Sequence, residues 1–99
     1  SDQMTVSLGE ISPAKSGKVA AQEVIITNNG TQPGLYRLSE ENEGGWDTAF
    51  TTNVIEVAPG ETVSVPLFVK VPTLRPKSND FEVTVTSEVS GKSASATGR

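Results

Sequence analysis

The sequence predicts an all-β fold, an antiparallel sandwich of seven or eight strands in two layers, on three observations. Apolar residues recur at every second position in several segments, Gly/Pro/Asn clusters separate those segments, and nowhere does a helical repeat of three to four residues appear. The clearest segment runs from Thr62 to Val71. Val63, Val65, Leu67, Val69 and Val71 fall on one face, and Thr62, Ser64, Pro66, Phe68 and Lys70 on the other. Period two with β-branched residues on the apolar side describes a strand laid on a core with its other face wet.

The remaining strands follow in order. Thr5 to Ile11 alternates, with Val6 and Leu8 inward, until the cluster Ser12–Gly17 breaks it into a loop. Lys18 to Thr27 is the second strand, with Ala20, Val24 and Ile26 toward the core and Ile25 facing away. Asn28-Asn29-Gly30-Thr31 is a turn signal, because Asn and Gly tolerate positive φ. Asn29-Gly30-Thr31 also fits the N-glycosylation acceptor pattern, although turn chemistry alone accounts for it. Leu35 to Glu40 places Tyr36 and Leu38 on one face, Trp46 and Phe50 share a face around Thr48, and Ile55 and Val57 share another. Pro59-Gly60 turns the chain into the Thr62 strand, and Thr73 to Asp80 reads as a crossing loop. Phe81, Val83, Val85 and Val89 keep one phase from Phe81 to Val89, Ser90-Gly91-Lys92 turns, and Ser93 to Thr97 closes with Ala94 and Ala96 together. Pro66 supplies no ladder donor, which places its strand at a sheet edge or at a bulge.

Composition narrows function. The 99 residues fit one domain, and 34% hydrophobic content suits strands with one wet face better than a doubly covered parallel sheet. Eight basic against 12 acidic residues, a net charge of −4, form no footprint for nucleic acid or anionic lipid. No apolar run approaches the roughly 20 residues of a membrane span. Cysteine and histidine are both absent, which removes disulfides, thiolate metal sites and the commonest general base. Ser1 opens the sequence without a signal peptide and Met4 follows three other residues, which points to a segment of a longer chain.

Val24 to Thr31, Tyr36-Arg37-Leu38, Gly45-Trp46, Val57 to Glu61, Val65 to Pro72 and Phe81 to Val85 together resemble a family of bacterial Ig-like domains. These are the accessory domains that accompany catalytic modules in bacterial α-galactosidases and other secreted hydrolases, close to the cell-adhesion-related (CARDB-like) type. One departure is Phe81, where many Ig-like relatives carry tyrosine, so the hydroxyl bond of a tyrosine corner cannot form there. The resemblance implies an Ig-like sandwich, no catalytic residues and an extracellular or cell-surface location. Its role would be that of a spacer or interaction module beside a hydrolase, a monomer whose partners are the neighbouring domains of its own chain.

Two other functions compete with that one. A carbohydrate-binding module would stack polysaccharide on exposed rings, and the candidate ligand contacts are Trp46, Tyr36 and Phe68. With only five aromatic residues, a platform competes with the core for them. An adhesin-like domain would bind protein through outward Phe68 and Ile25. The acidic stretch Glu40-Glu41-Asn42-Glu43, with Asp47 nearby, has oxygen ligands for Ca²⁺ but not the spacing of an EF-hand, and reads as a solvated loop. Ser-Lys or paired-carboxylate chemistry is what remains for an enzyme, and the carboxylates Glu40, Glu41, Glu43 and Asp47 lie close in sequence, in a domain too small to offer an obvious cleft. No catalytic residue, metal or cofactor is expected.

Overall fold

The computed structural model describes residues 4–12, 17–42, 44–71, 81–89 and 91–98. The described residues form eight strands: β1 (Met4–Ser12), β2 (Val19–Asn28), β3 (Gly34–Asn42), β4 (Thr48–Phe50), β5 (Val54–Val57), β6 (Thr62–Lys70), β7 (Phe81–Ser87) and β8 (Ser93–Gly98). They pair antiparallel throughout, in two four-stranded sheets. Sheet one has the order β1-β2-β6-β4 and sheet two the order β5-β3-β7-β8. The all-β, Ig-like sandwich is thus the observed fold. Residues 13–16 of the loop expected at 12–17, the loop expected at 73–80, and Glu43 lie outside the described residues.

The two-residue alternation builds the core. Val24 and Ile26 of β2 lie beside Val65 and Val63 of β6, and Leu38 of β3 lies opposite Val85 of β7. The buried set is Val24, Ile26, Tyr36, Leu38, Val57, Val65, Leu67, Val69, Val83 and Val85, with Val6, Leu8, Trp46, Phe50, Ile55 and Phe81 packed against it. Each such side chain stabilises the fold by about 1.5–3 kcal/mol through removal from water. Tyr36 needs room. Its ring folds back over Gly34, two residues earlier on the same face, and a Cβ on Gly34 would run into the ring and its hydroxyl.

At one end of the sandwich a single buried amide joins the sheets. Asn28, the last residue of β2, is 1% exposed. Its Nδ2 donates to Val57 O of β5 and to Gln32 O, both at 2.9 Å, and its Oδ1 accepts the Gly30 N–H at 2.9 Å. Its backbone N–H donates to Glu61 O at 3.0 Å and its carbonyl accepts the Gly60 N–H at 2.8 Å. Every polar group of Asn28 therefore has a partner, as burial demands. The turn it grips is tight: the Glu61 N–H donates to Ala58 O at 3.0 Å and Gly60 sits at φ +78°. The Asn-Gly signal marks a real bend, but through a different device from the one expected. Neither Asn28, Asn29 nor Gly30 has positive φ, and β2 pairs with β1 and β6, so the chain crosses to the other sheet instead of forming a hairpin with β3.

Two further expectations change. Pro66 lies on an inner strand, and the β2–β6 register runs unbroken through the pair Glu23–Pro66. The Lys70 N–H donates to Asp47 O, on the β4 side, so residues 62, 64, 66, 68 and 70 all turn their backbone groups that way. β4 ends at the pair Phe50–Leu67, so the missing donor of Pro66 falls where the sheet is locally open. Val89, expected in phase with the core, is 78% exposed. β7 stops at Ser87, whose N–H donates to Lys92 O and whose carbonyl accepts the Gly91 N–H, with Gly91 at φ +79°. That turn swings Val89 outward.

Two substitutions test this packing. Asn28→Ala strands buried carbonyls and an N–H and should cost about 2–4 kcal/mol, read as a lowered urea midpoint at constant m. Gly34→Ala forces the Tyr36 ring to move and should cost about 1–3 kcal/mol; an unchanged midpoint would show that the ring and Gly34 are not in contact.

Candidate interaction surface

The two outer faces differ in chemistry. On sheet two, the register sets Arg37, Thr86 and Ser93 in one row, Ser39, Thr84 and Ser95 in the next, and Glu41, Glu82 and Thr97 in the third. The hydroxyls bond along the rows, Thr84 to Ser95 at 3.2 Å and Thr86 to Ser93 at 3.0 Å. Arg37 forks onto Glu88, with Nη2 to Oε1 at 2.8 Å and Nε to Oε2 at 3.3 Å. This face is mainly polar, and its first two rows are bonded within themselves.

Sheet two does expose Leu35 of β3, opposite Glu56, but sheet one carries an aromatic ring at the centre of its outer face. Phe68 of β6 lies opposite Ala21 of β2 and opposite Ala49 of β4. Two alanines give its ring no taller neighbour within the row, and Phe68 is 37% exposed. Val19 and Lys70 pair on one side of this row, and Glu23 and Pro66 on the other, followed by Ile25 and Ser64. Along the same face toward Asn28 the chemistry becomes polar, ending with Thr27 and Thr62, whose hydroxyls meet at 2.9 Å.

A carboxylate anchors the boundary of this surface. The register of β1 against β2 slips between Leu8 and Ile11, a bulge at the sheet edge. Glu23 holds it from beneath, its Oε1 accepting the Glu10 N–H at 3.1 Å and its Oε2 the Ser64 hydroxyl at 2.8 Å. Gln22 adds a second stitch, Nε2 donating to Gly9 O at 3.0 Å. A Cβ on Gly9 would press on Glu23 Cδ and Ile25 Cδ1, both at 2.9 Å, so a larger residue there would displace the Glu23 carboxylate from the bulge. The Ser64 hydroxyl first, then the Glu10 N–H, hold the Glu23 carboxyl below the usual carboxylate range. The hydrogen bond from Arg37 does the same for Glu88.

The three candidate contacts do not form a platform. Tyr36 is 0% exposed and belongs to the core, so no ring face is open for a sugar to stack on. Trp46 is half-buried and turned inward, edge-on to Phe81 at 6.0 Å between centroids and 77° between planes. Phe68 alone faces out, on the opposite side of its sheet. The loop that delivers Trp46 is built by Asn42: Oδ1 accepts the Trp46 N–H at 2.7 Å and Nδ2 donates to Trp46 O at 3.2 Å, with Gly45 at φ +66°. Glu40, from the acidic stretch, accepts from Asn42 Nδ2 at 2.8 Å and from Thr48 Oγ1 at 2.7 Å. Its oxygens thus brace the loop. The alanines flanking Phe68 escaped notice in the sequence because they become its neighbours only through cross-strand register.

Comparison with known proteins places the chain in a different context from the one the sequence motifs implied. The model of the family described as "IG-like fold at C-terminal of FixG, putative oxidoreductase" matches residues 22–99. Among solved structures, a FixG-related protein from Vibrio parahaemolyticus superposes with a TM-score of 0.70 at 15% identity, covering 98% of this chain and 92% of that one. The archaellum periplasmic stator protein complex FlaF and FlaG from Sulfolobus acidocaldarius gives a TM-score of 0.42 at 11% identity over 94% and 87% of the two chains, a likeness too loose to argue from. No curated protein matches. The resemblance to hydrolase-associated and CARDB-like domains is overturned by the family match. Its motifs misled because each serves the sandwich itself: Asn28 ties the sheets, Gly45-Trp46 covers the core, and Pro59-Gly60-Glu61 turns into β6.

The two carboxylates set an acid dependence. A group whose pKa falls on folding adds stability that is complete above its unfolded value and is lost as pH drops through its folded value. A Glu23→Gln, Glu88→Gln double variant should therefore lose less of its Tm than the wild type between about pH 5 and pH 2. Parallel Tm–pH curves would disprove the assignment.

Proposed function

Because the chain belongs to the family of Ig-like domains at the C-terminus of FixG, we propose that it is a non-catalytic accessory domain of a FixG-type oxidoreductase, docked on a neighbouring domain of the same protein. The observation that carries this reading is the centre of the outer face of sheet one, where Phe68 stands exposed between Ala21 and Ala49. An apolar residue framed by small ones and bordered by Lys70, Glu23 and Ser64 suits an inter-domain contact with an apolar centre and a polar rim.

The residue inventory supports the accessory role. Cysteine and histidine are the main protein ligands of iron–sulfur clusters and haem, and the chain has neither. The domain thus offers no thiolate or imidazole ligand for such a group, and in this reading it contributes position and stability. The hydrolase context has no place in this reading.

The experiment is Phe68→Glu, made in the isolated domain and in the full-length parent. The domain alone should remain folded, losing about 1–2 kcal/mol for the covered part of the ring. The parent should lose thermal stability and become open to proteolysis between this domain and the rest. If neither Phe68→Glu nor deletion of the domain alters the parent's stability or activity, the docking role is wrong.

A further inference from the structure

The dipeptide Asn29-Gly30 has no role in the function proposed above. Asn29 is exposed and Gly30 half-buried. Asparagine followed by glycine is the pairing most open to deamidation, since no side chain shields the glycine nitrogen that attacks the asparagine amide. In the fold, however, that nitrogen is engaged. The Gly30 N–H donates to Asn28 Oδ1 at 2.9 Å. Asn28 is itself fixed by Val57, Glu61 and Gly60, and its Nδ2 pins the far side of the bend through Gln32 O.

We propose that Asn29 is a deamidation site masked by the Asn28 knot. In the reaction the Gly30 nitrogen gives up its proton and bonds to Asn29 Cγ. The Cγ–Nδ2 bond breaks, and ammonia leaves carrying that proton. Water then opens the resulting succinimide at either carbonyl, leaving aspartate or isoaspartate. The proton that must depart is the one held by Asn28 Oδ1, and the nitrogen must swing onto Cγ from a segment pinned at both ends. Reaction therefore requires the knot to open, and the folded-state rate is the rate of the free chain multiplied by the fraction open.

Incubation of the 99-residue chain in mildly alkaline buffer, with peptide mapping by mass spectrometry, tests this. Asn29 in the folded protein should convert at least about tenfold more slowly than in urea, the signature of chemistry gated by local opening. Asn28→Ala, if its circular dichroism remains that of the folded chain, should convert at close to the urea rate. Should that variant unfold, wild-type rates at urea concentrations below the unfolding transition replace it, and these should rise with urea. Asn29→Gln should silence the signal from its peptide. Equal rates in the folded and urea-unfolded protein, a folded Asn28→Ala no faster than wild type, a flat sub-transition series, or a signal that survives Asn29→Gln would each overturn the proposal.

Discussion

A buried amide inside an apolar sandwich is the constraint on which the arrangement of the sheets depends. Left unpaired, the polar groups of Asn28 would each cost about 1–3 kcal/mol. Paired as they are, they fix four things at once: the end of β2, the bend toward β3, the end of β5 and the turn into β6. Apolar packing is non-directional and would accept the two sheets in several relative positions. A hydrogen bond from a residue anchored in β2 of one sheet to Val57 O of the other does not. The core supplies most of the driving force, and Asn28 selects the register in which it acts.

The same division of labour appears on the outside. Both sheets follow the alternation that puts every second side chain in the core, so their outer faces are free to diverge. On sheet two the outer positions are mostly Ser, Thr and charged residues, with hydroxyls bonded across strands and Arg37 paired with Glu88. On sheet one they include a phenylalanine in a row of alanines. A face that bonds within itself has little left to offer a partner. A face with an isolated ring gains by being covered, and this asymmetry gives the domain a front and a back.

Much of the fold was legible in the sequence, because period two is a local signal that burial obeys. The faces read for β2, β3, β6 and β7 are the buried ones, and the eight strands fall within the seven or eight expected. What was not legible depended on which strands become neighbours. Pro66 looked like an edge residue because nothing in the sequence shows that β4 stops after three residues and leaves one side of β6 open. Val89 kept the right phase but lay past the end of β7. Tyr36 was a candidate contact by residue type alone, while its burial follows from Gly34 making room for the ring. The family was misread for the same reason: turns and caps are shared by many sandwiches, and a resemblance resting on them reports architecture more than ancestry.

The placement of the terminal strands bears on how the domain carries load. Met4 pairs with Asn28 at one end of the sandwich, and Gly98 pairs with Phe81 at the other. Tension applied through these two points pulls β1 and β8 along their own axes, against β2 and β7. The ladders are then loaded in shear, so the hydrogen bonds of a whole strand resist together and cannot break in succession as they do in unzipping. The bulge held by Glu23 and Gln22 acts as a catch against sliding of β1. A sandwich built this way meets tension between its first and last strands in shear.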